Sequence, residues 1–185
     1  MQNSNPTLLS AADLPSRQSA SKPVGGSIFD QPLALPDPFE ASESDSDGEL
    51  MEEPIDEQEI FDLIATISDP EHPIPLGELA VVSLRDISIT AALPRSPASP
   101  LRKVTVLITP TITHCSLATV IGLGVRVRLE QSLPPRFRVD VRIKDGTHST
   151  ADEVNKQLAD KERVAAALEN GTLMGVIQKM LETCR

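Results

Sequence analysis

The sequence predicts an α+β domain: a small mixed three-stranded sheet packed on helices, ordered helix, β-hairpin, helix, strand, two helices, behind a disordered acidic tail. Three observations carry this prediction. Apolar residues recur at helical spacing in three places, as at Ile60, Ile64 and Ile67, at Leu117, Val120, Ile121, Gly124 and Val127, and at Val154, Leu158, Val164 and Leu168. Runs rich in Val and Ile, short enough to be strands, occupy 81–90, 103–109 and 137–143. Composition also changes at Pro54, with two basic residues against ten acidic ones before it and 15 against 17 after it.

Residues 1–54 are rich in Ser, Pro, Asp and Glu and lack periodicity. Such a stretch buries too little apolar area to offset the entropy of ordering, so the domain is expected to span 55–185. Ser42, Ser44 and Ser46 each have an acid three residues on (Asp45, Asp47, Glu49), a spacing that suits an acid-directed kinase. Asp56 is placed to cap the first helix, with Glu59 three residues later. That helix must end before Asp69-Pro70, because a residue preceding proline avoids the helical region. The loop Asp69-Pro70-Glu71-His72-Pro73-Ile74-Pro75 holds two carboxylates and a histidine on a backbone stiffened by three prolines. It can be a site or a plain helix-to-strand connector.

Strands at 81–90 and 103–109, joined through the proline-rich loop 91–101, read as an antiparallel hairpin. The stretch 109–127, TPTITHCSLATVIGLGVRV, then runs from strand end through the polar turn Thr113-His114-Cys115-Ser116 into a long apolar segment. Its tail alternates with period two, but its length favours a helix. Gly122 and Gly124 cost that helix about 1 kcal/mol each relative to Ala, which implies close approach of another backbone. Leu133-Pro134-Pro135 ends it, and Phe137–Ile143 follows as a strand parallel to the second. Thr150-Ala151-Asp152-Glu153 has the capping-box pattern and opens a long helix. Asn170-Gly171 breaks that helix, and residues 173–181 form the last one.

Cys115 sits where a strand ends and a helix begins. Unpaired N–H groups at a helix start stabilise a thiolate, so Cys115 is the candidate reactive thiol; the alternative is a small buried hydrophobe. Thr111, His114 and Ser116 are the polar residues that could support it. No phosphate-binding glycine loop, structural zinc spacing or Ser-His-Asp order is present. His72, His114, His148 and Cys184 are scattered, which leaves Cys115 as the sole candidate metal ligand. The absence of Trp and Tyr, together with a net charge of −10, argues against direct nucleic-acid binding. No apolar run reaches membrane-spanning length and no signal pattern opens the chain. An intracellular protein with Cys115 and Cys184 reduced is expected.

Several strings together go beyond pattern. Asp69-Pro70-Glu71-His72-Pro73, TPTITHCSLATVIGLGVRVRL, SLPPRFRVDVRI, GTH and NKQLADKERVAAALEN resemble, in order and spacing, the SufT-like family of iron–sulfur assembly factors. Within it the chain is similar to the eukaryotic branch, the small subunits of the cytosolic iron–sulfur protein assembly (CIA) targeting complex. The resemblance covers roughly 55–185. It implies an α+β domain and a non-enzymatic adapter bound to a WD-repeat propeller subunit and a HEAT-repeat scaffold. It implies delivery of [4Fe–4S] clusters to apo-proteins of DNA replication, repair and translation, in the cytoplasm and nucleus and with consequences for chromosome segregation. It also implies a reactive thiol at Cys115, a functional loop at Asp69, Pro70 and Glu71, and no stably bound cofactor beyond a transient iron–sulfur cluster. Thr113 stands where relatives often have proline. A thiol-dependent enzyme or a transient cluster carrier using Cys115 is the alternative, and no fixed base–orienter pair supports the enzyme. No membrane partner is implied, and a homodimer stays open.

Overall fold

The computed structural model describes residues 8–10, 12–16, 54–96, 99–112 and 117–184. Its elements run α1 (Glu57–Ala65), a 3-10 turn (Leu84–Asp86), β1 (Ile87–Ala91), β2 (Arg102–Ile108), α2 (Ala118–Ser132), β3 (Phe137–Ile143), α3 (Ala151–Ala159), α4 (Lys161–Glu169) and α5 (Gly171–Leu181). The expected α+β architecture and mixed three-stranded sheet are present. The sheet order is β1-β2-β3, antiparallel then parallel, with Val104 opposite both Ile89 and Val139.

Helix α2 lies at the centre. It is apolar on nearly every side, with Ala118, Ile121, Leu123, Val125, Val127 and Leu129 all buried. Around it pack α1, α3, α5 and the sheet. The two glycines explain how they fit. A Cβ on Gly122 would come within 2.7 Å of Leu158 Cδ1 on α3, and one on Gly124 within 3.1 Å of Met180 Cε on α5. The close approach is therefore made by side chains rather than by a second backbone. The arginines of α2 reach out along its surface to neighbouring helix ends. Arg126 Nη1 donates to Leu158 O at 2.9 Å and Arg128 Nε to Leu63 O at 3.4 Å. Each cation thus meets carbonyls at the negative end of a helix.

One face of the sheet buries Ile87, Val104, Val106, Ile108, Val141 and Ile143. The other carries Ser88, Thr90, Lys103, Arg138, Asp140 and Arg142. On that open face Asp140 pairs with Lys103 at 2.7 Å and Arg142 at 2.8 Å. Burial alone would raise the Asp140 carboxyl, but hydrogen bonds and charge from Arg142 and Lys103 outweigh it and hold it below the usual carboxylate range. Each sheet edge carries a helix side chain. Asn155 of α3 accepts from Ile143 N at 2.7 Å and donates to Ile143 O at 3.1 Å, as a neighbouring strand would. At the other edge Glu57 of α1 accepts from Ile89 N at 3.3 Å. Both contacts discourage strand addition there.

Four local expectations change. The first strand is 87–91, not 81–90: Val81 and Val82 are buried, but in a turn that is joined to the β2 strand end by Thr109 N donating to Val81 O at 2.9 Å. Burial selected these β-branched residues, not a ladder. The long helix after Thr150 is two helices, because Asp160 leaves the helical conformation (ψ 109°) and its carboxylate caps α4 by accepting from Glu162 N and Arg163 N. The capping box at Thr150 is not made; the Thr150 N–H is instead taken by Nδ1 of buried His148, at 3.2 Å. By contrast, Asp56 caps α1 as expected, accepting from Glu59 N at 2.8 Å.

The fourth concerns residues 8–10 and 12–16, which fall in the stretch read as a disordered tail. They dock on the domain. Leu9 N donates to Glu78 O at 2.9 Å, Gln58 Nε2 to Pro15 O at 2.8 Å, and Leu14 packs against the apolar core. One packed leucine, Leu14, and two backbone hydrogen-bonding groups are enough to fix a short piece of a segment whose average composition is unfavourable. Ser42, Ser44 and Ser46, whose spacing to acids suits an acid-directed kinase, lie outside the described residues.

Candidate functional site

The loop after α1 is built on a pinched base. Ser68 and Pro75 form an isolated antiparallel bridge, and Asp69 N donates to Ile74 O at 3.0 Å. Above this base the Asp69 carboxylate folds back. Its Oδ1 accepts from Glu71 N at 2.8 Å and His72 N at 3.0 Å. The side chain is only 5% exposed, and His72 Nδ1 stands 3.5 Å from the same oxygen. Asp69 therefore shapes the loop, as an Asx turn does, and Pro70 and Pro73 stiffen it. The consequence is that Glu71 and His72 are presented outward, exposed. Two carboxylates that look alike in sequence have different work: one holds the turn, the other is displayed by it.

One side of the loop faces the start of α2. Asp69, Pro70 and Glu71 line a small cleft together with Pro110, Thr111, Ile112, Leu117, Ala118 and Ile121. Thr111, named in the sequence as possible support for Cys115, is thus brought to the Asp69 loop. His114, Cys115 and Ser116 lie outside the described residues; they belong to the four-residue stretch that joins Ile112 to Leu117.

The other side of the loop opens into a cleft of about 490 Å³ walled by α5 and the turn after it, with Val176, Lys179, Met180, Glu182 and Thr183. This wall is tied to the loop base. Ser68 N donates to Met180 O at 3.0 Å, Thr183 Oγ1 donates to Thr66 O at 2.6 Å, and the Ser68 and Thr183 hydroxyls are 3.2 Å apart. Sequence reasoning missed this clasp. Its partners are 115 residues apart (Ser68 and Thr183), and small hydroxyl residues carry no pattern that reports such pairing. Cys184 belongs to the same clasp: its Sγ accepts from Thr66 Oγ1 at 3.5 Å, and the side chain is half-buried against the core.

Among the described residues, Asp69, Glu71 and His72 bring one ligand atom each within 4.8 Å of one another. They make a second candidate donor set beside Cys115. Oxygen and imidazole donors of this kind suit a hard or borderline divalent ion rather than a thiolate-held cluster. One Asp69 oxygen is already committed to the two N–H groups.

Residues 57–143 match the family model described as iron-sulfur cluster assembly protein, a span that includes the loop, both walls of its small cleft and the whole sheet. A MIP18 family protein of Saccharomyces cerevisiae is 60% identical over 140 residues, which are 75% of this chain and 59% of that one. Another, from Schizosaccharomyces pombe, is 47% identical over 184 residues, covering 100% of this chain and 97% of that one. The chain belongs to the MIP18 family of iron–sulfur cluster assembly proteins. A mouse relative named cytosolic iron-sulfur assembly component 2B is 51% identical over 144 residues, 78% of this chain and 82% of that protein. The resemblance drawn from the Asp-Pro-Glu-His-Pro and Thr-His-Cys-Ser strings therefore holds at the level of the family. The fission-yeast match also runs through the docked N-terminal residues, which the family model does not reach. No helix among the described residues of this MIP18 family chain is long and apolar enough to cross a membrane.

Proposed function

We propose that this chain is a non-enzymatic adapter of cytosolic iron–sulfur cluster assembly. In this reading it is a subunit of the CIA targeting complex, bound to a WD-repeat propeller and a HEAT-repeat scaffold, helping to pass [4Fe–4S] clusters to apo-proteins in the cytoplasm and nucleus. Family membership and the printed names of the relatives support the assembly role. The observation that carries the site is the small cleft. Both flanks of the Cys115 segment, Thr111-Ile112 and Leu117-Ala118, line it together with Asp69, Pro70 and Glu71. A reactive thiol at Cys115 and a displayed carboxylate at Glu71 would then act on the same client or cluster ligand. The chain has two cysteines, Cys115 and Cys184, fewer than the four thiolates that usually hold a [4Fe–4S] cluster, which supports reading the cluster as cargo in transit rather than a resident group.

The test replaces the endogenous chain in cells by Cys115→Ser or Glu71→Gln. Co-purification of the propeller and scaffold subunits is read alongside cluster content of a [4Fe–4S] client enzyme. Both variants are expected to keep the partners and lose client loading. Full client loading in both would refute the site, and loss of the partners in both would turn it into a docking surface.

A further inference from the structure

We propose that Ser10 is a phosphorylation site and that the segment around it is a latch which the phosphate opens. The latch is a capped turn. Asp13 N donates to Ser10 O at 2.9 Å, while the Asp13 carboxylate accepts from Ser10 Oγ at 2.6 Å and from Ser10 N at 3.3 Å. This turn sets the spacing between the anchors on either side of it. Before it, Leu9 N reaches Glu78 O; after it, Leu14 packs on the core and Pro15 O receives Gln58 Nε2. Neither anchor is strong, since each includes only one hydrogen bond, whose net contribution to stability is small. The segment therefore stays docked by holding both at once.

Ser10 is exposed, and the residue three positions on is the acid Asp13, the spacing that marks Ser42, Ser44 and Ser46 for an acid-directed kinase. In the transfer, Ser10 Oγ attacks the γ-phosphorus of ATP. The Oγ–P bond forms, the bond to the β-phosphate oxygen breaks, ADP leaves and the hydroxyl proton passes to the base of the kinase. The product cannot keep the turn. Its Oγ no longer has a proton to donate, and a group carrying about −1.5 to −2 charges replaces that proton beside the Asp13 carboxylate. Asp13 thus has two incompatible roles: it caps the unmodified turn and repels the modified one. A kinase that binds its substrate extended also captures the undocked form, and the phosphate keeps it undocked. Opening bares the strip of α1 around Gln58 and the apolar surface under Leu14.

The experiment uses the full chain. The purified protein is incubated with an acid-directed serine kinase and ATP, modified positions are mapped by peptide mass spectrometry, and amide hydrogen exchange is read at Leu9 before and after. Ser10→Ala, treated identically, controls for phosphates placed elsewhere. The expected result is phosphate on Ser10 and a rise of about tenfold or more in Leu9 exchange, with no rise in Ser10→Ala. Ser10 left bare while the other serines are modified would overturn the proposal. So would a phosphorylated Ser10 with Leu9 still protected, or an equal rise in Ser10→Ala.

Discussion

The Asp69 loop and the segment around Ser10 use the same local device. In each, an aspartate carboxylate gathers donors of a tight turn: Glu71 N and His72 N for Asp69, Ser10 N and Ser10 Oγ for Asp13. What differs is how the turns are fastened. The Asp69 carboxylate is buried, its loop is closed by the Ser68–Pro75 bridge, and the base is clasped by Thr183 and Met180 from the far end of the chain. The Ser10 turn is exposed and fastened on the domain by one anchor on each side. Burial and redundancy, not the turn itself, separate a permanent platform from a removable strap. A feature meant to present chemistry needs the first, and a feature meant to be switched needs the second.

The largest break in this comparison should come from Asp69→Ala. It strands two backbone N–H groups at a part-buried site, for a cost of about 2 kcal/mol. Thermal unfolding should show a drop of several degrees, while Asp69→Asn, which keeps an acceptor oxygen but loses its charge, should recover only about half of it. A melting temperature unmoved by Asp69→Ala would mean the loop is held by its prolines alone. The next effect is at the clasp. Thr183→Val keeps the shape but removes the 2.6 Å hydrogen bond to Thr66 O, at about 1 kcal/mol. It should also expose Cys184 to alkylation in the native state, and unchanged alkylation would show that the clasp does not shield the thiol.

Removing residues 1–16 should cost less than either, about 0.5–1 kcal/mol, because the gain from Leu14 and two hydrogen bonds is largely offset by the entropy of ordering the segment. Denaturant midpoints of the full and shortened chains give the measurement. A loss as large as that of Asp69→Ala would mean that the segment is part of the core and no latch.

Much of this was legible in the residues. Helical spacing located α1 and α2, and the alternation of Phe137–Ile143 marked the strand whose outer face carries Arg138, Asp140 and Arg142. The Asp56 cap was readable because its partner is three residues away. The Asp-Pro-Glu string stood out because proline stiffness is a local property. What was not legible depends on distance or competition. Val81 and Val82 looked like strand because burial and strand pairing select the same residues. Thr150 lost its cap to His148, a competition between two neighbours that no pattern decides. The division of labour between Asp69 and Glu71 is set by which carboxylate the Ser68–Pro75 bridge turns inward. The clasp from Thr183 and the docking of Leu9 both join residues far apart in the chain, and nothing in either partner announces the other.

The smallest expected effect on stability is at Glu71, and it sharpens the comparison most. If the loop is a platform, the group it displays should contribute nothing to holding it up. Glu71 is exposed, its backbone N–H is what Asp69 grips, and a substitution leaves that N–H in place. Glu71→Gln keeps the shape of the side chain and removes only its charge, so the change in unfolding free energy should stay within about 0.5 kcal/mol, the range of ordinary surface substitutions. Asp69→Asn removes a charge two residues away and should be felt mainly in stability. The two amides thus form a matched pair. Measured together, by denaturant unfolding and by cluster loading of a client enzyme, Asp69→Asn should move the first and Glu71→Gln the second. If Glu71→Gln instead destabilises the domain as much as Asp69→Asn, Glu71 also holds the turn, and the loop has no displayed carboxylate to offer.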